Sequence, residues 1–227
     1  MTADLNWFLH TDGGLLARIL IGTAIFASLA VMDFRRKGRN AAKWREYSLL
    51  LIAVAAALLY GAINDQLTVT ISPEYFLYGK ELSHVIGDNP PMSQLRWEAA
   101  KIGLKATWTA GLIFGVVLLL ANNPFRSLPR LRNRQLVMYL PMILLTAAAC
   151  GVVGGLLGYY GYLTRLDSDF ADMVAANIFR PRRFMCTWGV HLGGYVGGLA
   201  GTIAAVAGIV FQRRAKFRGL LCNSNTH

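Results

Sequence analysis

Acidic residues are scarce in this chain, 12 Asp and Glu against 23 Lys and Arg, and cysteine is scarcer still, at three. Cys150 falls within one apolar run, Cys186 near the start of another and Cys222 in a basic tail, so a disulfide framework is not expected. No Cys-x-x-Cys pair is present, which argues against a thiol oxidoreductase or a thiolate metal site. His-Glu-x-x-His and comparable local signatures are missing as well. So is a basic segment leading into a short apolar run and a small-residue cleavage site, and the first apolar run is therefore expected to remain in the mature protein.

What the chain has in quantity is apolar sequence. A helix needs about 20 mostly apolar residues to cross a bilayer core, and only helices and closed barrels satisfy their backbone groups there. Five runs qualify: Leu15 to Met32, Tyr47 to Ile63, Ala106 to Ala121, Leu136 to Leu163 and Phe184 to Phe211. They predict an all-α integral membrane protein with five transmembrane helices. With so much of the chain in spans there is no room for a soluble domain of the usual ~100 residues, so residues 1–227 are expected to form a single transmembrane domain.

The charges orient these spans. Arg35, Arg36, Lys37, Arg39, Lys43 and Arg45 separate spans one and two, Arg126, Arg130, Arg132 and Arg134 separate spans three and four, and Arg213, Arg214, Lys216 and Arg218 follow span five. Against these fourteen cations stand only Asp33 and Glu46, whereas the alternate segments carry ten acidic and eight basic residues, beginning with Asp4 and Asp12. Basic flanks are retained on the cytoplasmic side during insertion, which predicts the N-terminus outside and the C-terminus inside. The same placement accounts for the high isoelectric point without nucleic acid as a partner; the expected partner is the lipid bilayer, with its anionic headgroups. The absence of disulfides and of a cleavable leader pattern points to a bacterial inner (plasma) membrane.

Span five carries Gly189, Gly193, Gly197 and Gly201 at four-residue spacing, with Gly194 and Gly198 beside them. Span four answers with Ala147, Gly151 and Gly155 and with Gly154 and Gly158, and span three adds Gly111 and Gly115. Small residues at this spacing let helix backbones approach closely, so spans four and five are expected to be neighbours packed through glycine. The alternative is a groove beside span five lined by His191 and Tyr195, one turn apart. Pro141 is expected to kink span four, because it removes a backbone donor.

The least generic stretch lies between spans two and three. Leu67, Val69 and Ile71 alternate with Thr68, Thr70 and Ser72, a period of two that predicts a short extended segment. Ser72-Pro73 then reads as an N-cap and first helical position, opening an amphipathic outer helix to about Ile86 that Gly87 stops. Glu74, Tyr78 and Glu81 share one of its faces, with His84 at the edge. Trp97 and Trp108 suit the headgroup level.

The run Tyr60-Gly61, Asn64-Asp65-Gln66-x-Thr68 and Glu74-Tyr75-Phe76, together with His191-Leu192-Gly193-Gly194-Tyr195, resembles an uncharacterised group of bacterial multi-pass inner-membrane proteins. The resemblance implies no activity. The group carries His after its Glu-Tyr-Phe, where this chain has Gly79-Lys80.

Three functions compete. A non-catalytic membrane component would bind a membrane-protein partner, or a second copy in a homo-oligomer, through the outer segment. A polar site is then expected from Asn64, Asp65, Gln66, Glu74, His191 and Tyr195. In a metal-dependent enzyme acting on a lipid-like substrate, Asp65, Glu74, His84 and His191 would supply carboxylate and imidazole ligands; no cofactor is expected, with zinc or iron as the alternative. In a small-solute or proton transporter, His191 and Tyr195 would line the path. Against all three stands a structural role: His191 packing against span four through a hydrogen bond, and Asp65 and Glu74 capping a helix or meeting Lys80 or Arg96.

Overall fold

A computed structural model describes residues 12–38, 43–123, 128–163, 172–174 and 176–224. Asp4, Arg39, Arg126, Arg165, Asp167 and Asp169, all counted in the charge pattern, lie outside the described residues. Five long helices carry the chain: α1 (Asp12–Lys37), α2 (Lys43–Ile71), α3 (Met92–Asn122), α4 (Tyr139–Tyr159) and α5 (Pro181–Ser224). All five regions are long and apolar enough to cross a membrane, and no strand occurs among the described residues. The protein is an all-α multi-pass membrane protein.

The helices outrun the apolar stretches that announce them. At 1.5 Å per residue the 29 residues of α2 reach about 43 Å and the 31 of α3 about 46 Å, against a hydrocarbon core of about 30 Å. The expected extended segment at Leu67 to Ser72 is wrong for this reason: α2 runs helically to Ile71. Thr68 and Thr70 donate their hydroxyls to the carbonyls of Asn64 and Gln66, each at 2.9 Å, so these β-branched residues keep their polar groups within the helix. Continuing the helix satisfies every backbone group locally, which an unpaired strand beside a bilayer does not.

The expected outer helix to Ile86 is also corrected. Tyr75–Gly79 forms a π turn, Lys80 and Glu81 break the path with Glu81 at φ 58°, and Ser83–Ile86 is one turn of α-helix ending at Gly87, φ 80°. Ser72 does act as a cap, its Oγ accepting from Tyr75 N at 3.2 Å. Before α4, a short helix Asn133–Val137 is interrupted at Met138. Pro141 explains the interruption, since it has no N–H to give to the Val137 carbonyl four residues earlier.

Packing is close within two pairs, α2 with α3 and α4 with α5, and sparser between the pairs. Glycine makes both pairs. A Cβ on Gly61 would stand 2.5 Å from Gly103 O, and Gly189 meets Gly154 so closely that a side chain on either would overlap the other's carbonyl. Gly193 sits likewise on Cys150 and Gly151, and Gly197 and Gly201 on Thr146 and Ile143. Gly151 and Gly155 face Val190. Helix α1 is peripheral: it stacks Phe26 on Tyr47 and lays Arg18 over Trp108 at 5.8 Å, while Asp33 accepts from Lys43 N at 2.9 Å and so caps α2.

The three basic segments meet at one end. Asn133 donates to Arg45 O, Lys216 Nζ donates to Arg130 O, and Arg213, fully buried, donates to Ala121 O at 2.9 Å, Leu128 O at 3.1 Å and Pro129 O at 3.3 Å. A cation at the last carbonyls of α3 is favoured by the helix dipole. Leu49, Leu118, Leu136, Ile143 and Ile209 form the apolar cluster that closes this end, and Val69, Phe76, Leu95 and Ala99 close the other.

Candidate functional site

Between those two clusters, where the helix pairs do not interlock, lies a cavity of about 190 Å³. Its body is apolar: Ala57 of α2, Ala106, Ala110 and Phe114 of α3, and Leu144 and Leu199 of α4 and α5. Small side chains leave the space. Gly194 and Gly198 do so most directly, since a Cβ on Gly194 would meet only the Tyr60 hydroxyl, at 3.5 Å, and one on Gly198 only Phe114, at 3.3 Å.

The end of the cavity nearer the π turn is polar, with Tyr60, Asn64, Asp65, Lys80, His191 and Tyr195. Six residues from the end of α2, Asp65 is 3% exposed; its Oδ1 lies 3.8 Å from His191 Nε2 and 3.4 Å from Asn64 Nδ2. The gap to His191 is short enough for an ion pair when the imidazole is protonated and too long for a hydrogen bond. His191 Nε2 is buried and has no hydrogen-bond partner among the described residues. Buried polar atoms are nearly always paired with protein, ligand or ordered water, so this nitrogen is available to a bound molecule or a water at the cavity's polar end.

The imidazole is fixed by its ring contacts. Tyr75 of the π turn stacks on it at 5.1 Å and 13°, Phe76 meets it edge-on at 6.2 Å, and the Lys80 ammonium lies 5.5 Å over the Tyr75 ring. The extra residue of a π turn swings these two aromatics over the bundle, and such turns recur at functional sites. Burial, followed by nearby Tyr195 and Asp65, pushes the Tyr75 hydroxyl above its ordinary pKa, so it stays a neutral phenol.

Of the residues singled out in the sequence, the fold brings together Asn64, Asp65, His191 and Tyr195. The others go elsewhere. Gln66 faces α3, donating to Arg96 O at 2.7 Å, and Arg96 turns to Gln66 and Thr70. Glu74 accepts from Arg180 N at 3.0 Å, at the N-terminal entry to α5. His84 is exposed on its one-turn helix. Among the described residues no three His, Cys, Asp or Glu side chains converge as a metal site requires, and Asp65 and His191 are the two of the four candidate ligands that meet. The expected hydrogen bond from His191 to α4 is replaced by the approach to Asp65 on α2.

Tyr60 and Tyr75, named in the sequence only within the resembling motif, and Lys80, named as a cation for Asp65 or Glu74, were not counted among the candidate site residues. Spacing points to the first, since Tyr60 and Asn64 are one helical turn apart, next to Gly61 and Asp65 in the same register. No such spacing marks Tyr75 or Lys80, whose placement depends on the π turn. The chain matches no protein-family model, no curated protein and no solved structure.

Proposed function

We propose that this protein is a non-catalytic component of a bacterial inner membrane that holds an amphipathic, membrane-resident molecule in the cavity between its two helix pairs. One observation carries the reading: an apolar chamber between membrane-spanning helices ends in a buried carboxylate and an imidazole nitrogen that has no hydrogen-bond partner among the described residues. Ligand sites are mostly apolar concavities with a few convergent polar groups, and ionisable residues in membrane spans are costly enough to be functional by default. The segregation of the basic segments to one end supports an N-terminus outside and a C-terminus in the cytoplasm, which puts Asp65, His191 and the π turn on the outer side. The π turn and the Ser83–Ile86 helix then offer a surface to a membrane-protein partner or a second copy of the chain.

The two competing readings have less behind them. A metal-dependent enzyme needs a third ligand, and Glu74 is committed to Arg180. A transporter needs a continuous path, and buried apolar clusters pack on both sides of the cavity along the bundle.

The test is native mass spectrometry of protein extracted from membranes in mild detergent, compared with Gly194→Leu, whose side chain fills the cavity. A retained small-molecule adduct that disappears in a variant with unchanged thermal unfolding is the expected result. Adduct-free wild-type protein, or an adduct equally retained by Gly194→Leu, overturns the reading.

A further inference from the structure

The polar end of the cavity discriminates by charge. Among the described residues lining it, Asp65 supplies one anionic group and Lys80 one cationic group, and none is an arginine. A phosphate headgroup would have to approach the buried Asp65 carboxylate without the bidentate Arg partners that phosphate recognition uses. An ammonium headgroup would find the Asp65 carboxylate already sharing this end with the Lys80 ammonium, and would have no lone pair with which to accept from His191 Nε2–H. A neutral headgroup meets neither objection, provided it satisfies an acceptor and a ring nitrogen together.

The geometry points to a hydroxyl. An alcohol oxygen both donates and accepts, and one placed about 2.7–2.9 Å from each of Asp65 Oδ1 and His191 Nε2 spans their 3.8 Å gap. It donates to the carboxylate and accepts from Nε2–H. The bond to His191 satisfies the nitrogen that otherwise has no partner among the described residues. We infer that the occupant of the cavity is the head end of an uncharged, hydroxyl-headed lipid, its alcohol bridging Asp65 and His191 and the first carbons of its chain lying between Phe114 and Leu199, with the rest of the molecule outside this space of about 190 Å³. The inference rests on the cavity reading above and adds the chemistry of the headgroup. Diacylglycerols and long isoprenoid alcohols share that chemistry.

Detergent-purified full-length protein is titrated, with binding read by native mass spectrometry, against four probes: 1,2-dioleoylglycerol, its 3-O-methyl ether, dioleoylphosphatidylglycerol and stearylamine. Farnesol and its methyl ether form a second matched pair. A free hydroxyl should bind about tenfold to hundredfold more tightly than its methyl ether, as expected for a hydrogen bond to a charged acceptor. Preference within the first pair alone assigns a diacylglycerol, and within the second alone an isoprenoid alcohol. His191→Phe, which keeps the stack on Tyr75, and Asp65→Ala should each abolish the preference. Alcohol and ether bound equally, yet both displaced by Gly194→Leu, would overturn the hydroxyl assignment and leave the cavity reading intact. Preferred binding of the phospholipid or the amine, or no binding of any alcohol, would overturn it too, while the cavity reading stands or falls on the adduct comparison with Gly194→Leu.

Discussion

Gly61 is where the packing of α2 on α3 and the shape of the cavity depend on the same few atoms. A Cβ added there would lie 2.5 Å from Gly103 O, 2.5 Å from Thr107 Oγ1 and 2.6 Å from Thr107 Cγ2, where ordinary contacts begin at 3.4 Å. Relief requires the helices to part locally by about 0.9 Å at a point where the facing atoms include backbone. The Thr107 hydroxyl, bonded to Gly103 O at 2.8 Å, has little freedom to yield. Overpacking of this kind costs about 1–3 kcal/mol, and we expect Gly61→Ala to fall near the upper end. Gly22→Ala is the control, since its Cβ would meet nothing within 4 Å and the change should be neutral or stabilising, by up to about 1 kcal/mol from helix propensity. Reversible unfolding by SDS in mixed micelles, followed by the fluorescence of the five tryptophans, measures both. A Thr107→Ala background should recover only part of the loss, because Gly103 O remains in the way, and the double-mutant cycle gives the share. Gly61→Ala as stable as Gly22→Ala would refute the argument, because it would mean that α2 and α3 are not held in backbone contact.

Two further outcomes follow from the opposite end of the bundle and from its orientation. Arg213→Met removes hydrogen bonds to the carbonyls of Ala121, Leu128 and Pro129, and should cost about 2–4 kcal/mol and speed tryptic cleavage after Arg130 and Arg132, whereas the exposed Arg214→Met should do neither. In spheroplasts, a membrane-impermeant maleimide should label Ser83→Cys from outside and leave Lys216→Cys unlabelled until the cells are lysed; the reverse pattern would invert the proposed topology.

The spans are legible in the sequence because the bilayer turns an average property, apolar content over about 20 residues, into a structural requirement. The helix ends are not. Leu67 to Ser72 alternates like a strand, yet continuation of α2 absorbs it through hydroxyl bonds to carbonyls four residues back, and the polar first turns of α3 from Met92 carry no hydropathy signal. Asp65 and His191 stood out as costly ionisable groups near the membrane; that they would face each other across 3.8 Å depended on how α2 and α5 approach. Glu74 looked like a ligand until Arg180, 106 residues away, took it. Arg213 counted as one more basic flank, and burial made it the clamp on the last carbonyls of α3.

The sequence by itself determined the solvent in which this protein folds, its helical class and the glycine faces through which backbones can meet, since each depends on local composition and period. Only the tertiary structure decided that two tight helix pairs leave space between them and that an acid, an imidazole and a π-turn tyrosine gather at one end of it. That outcome depends on how the two pairs seat against each other, which no segment carries alone.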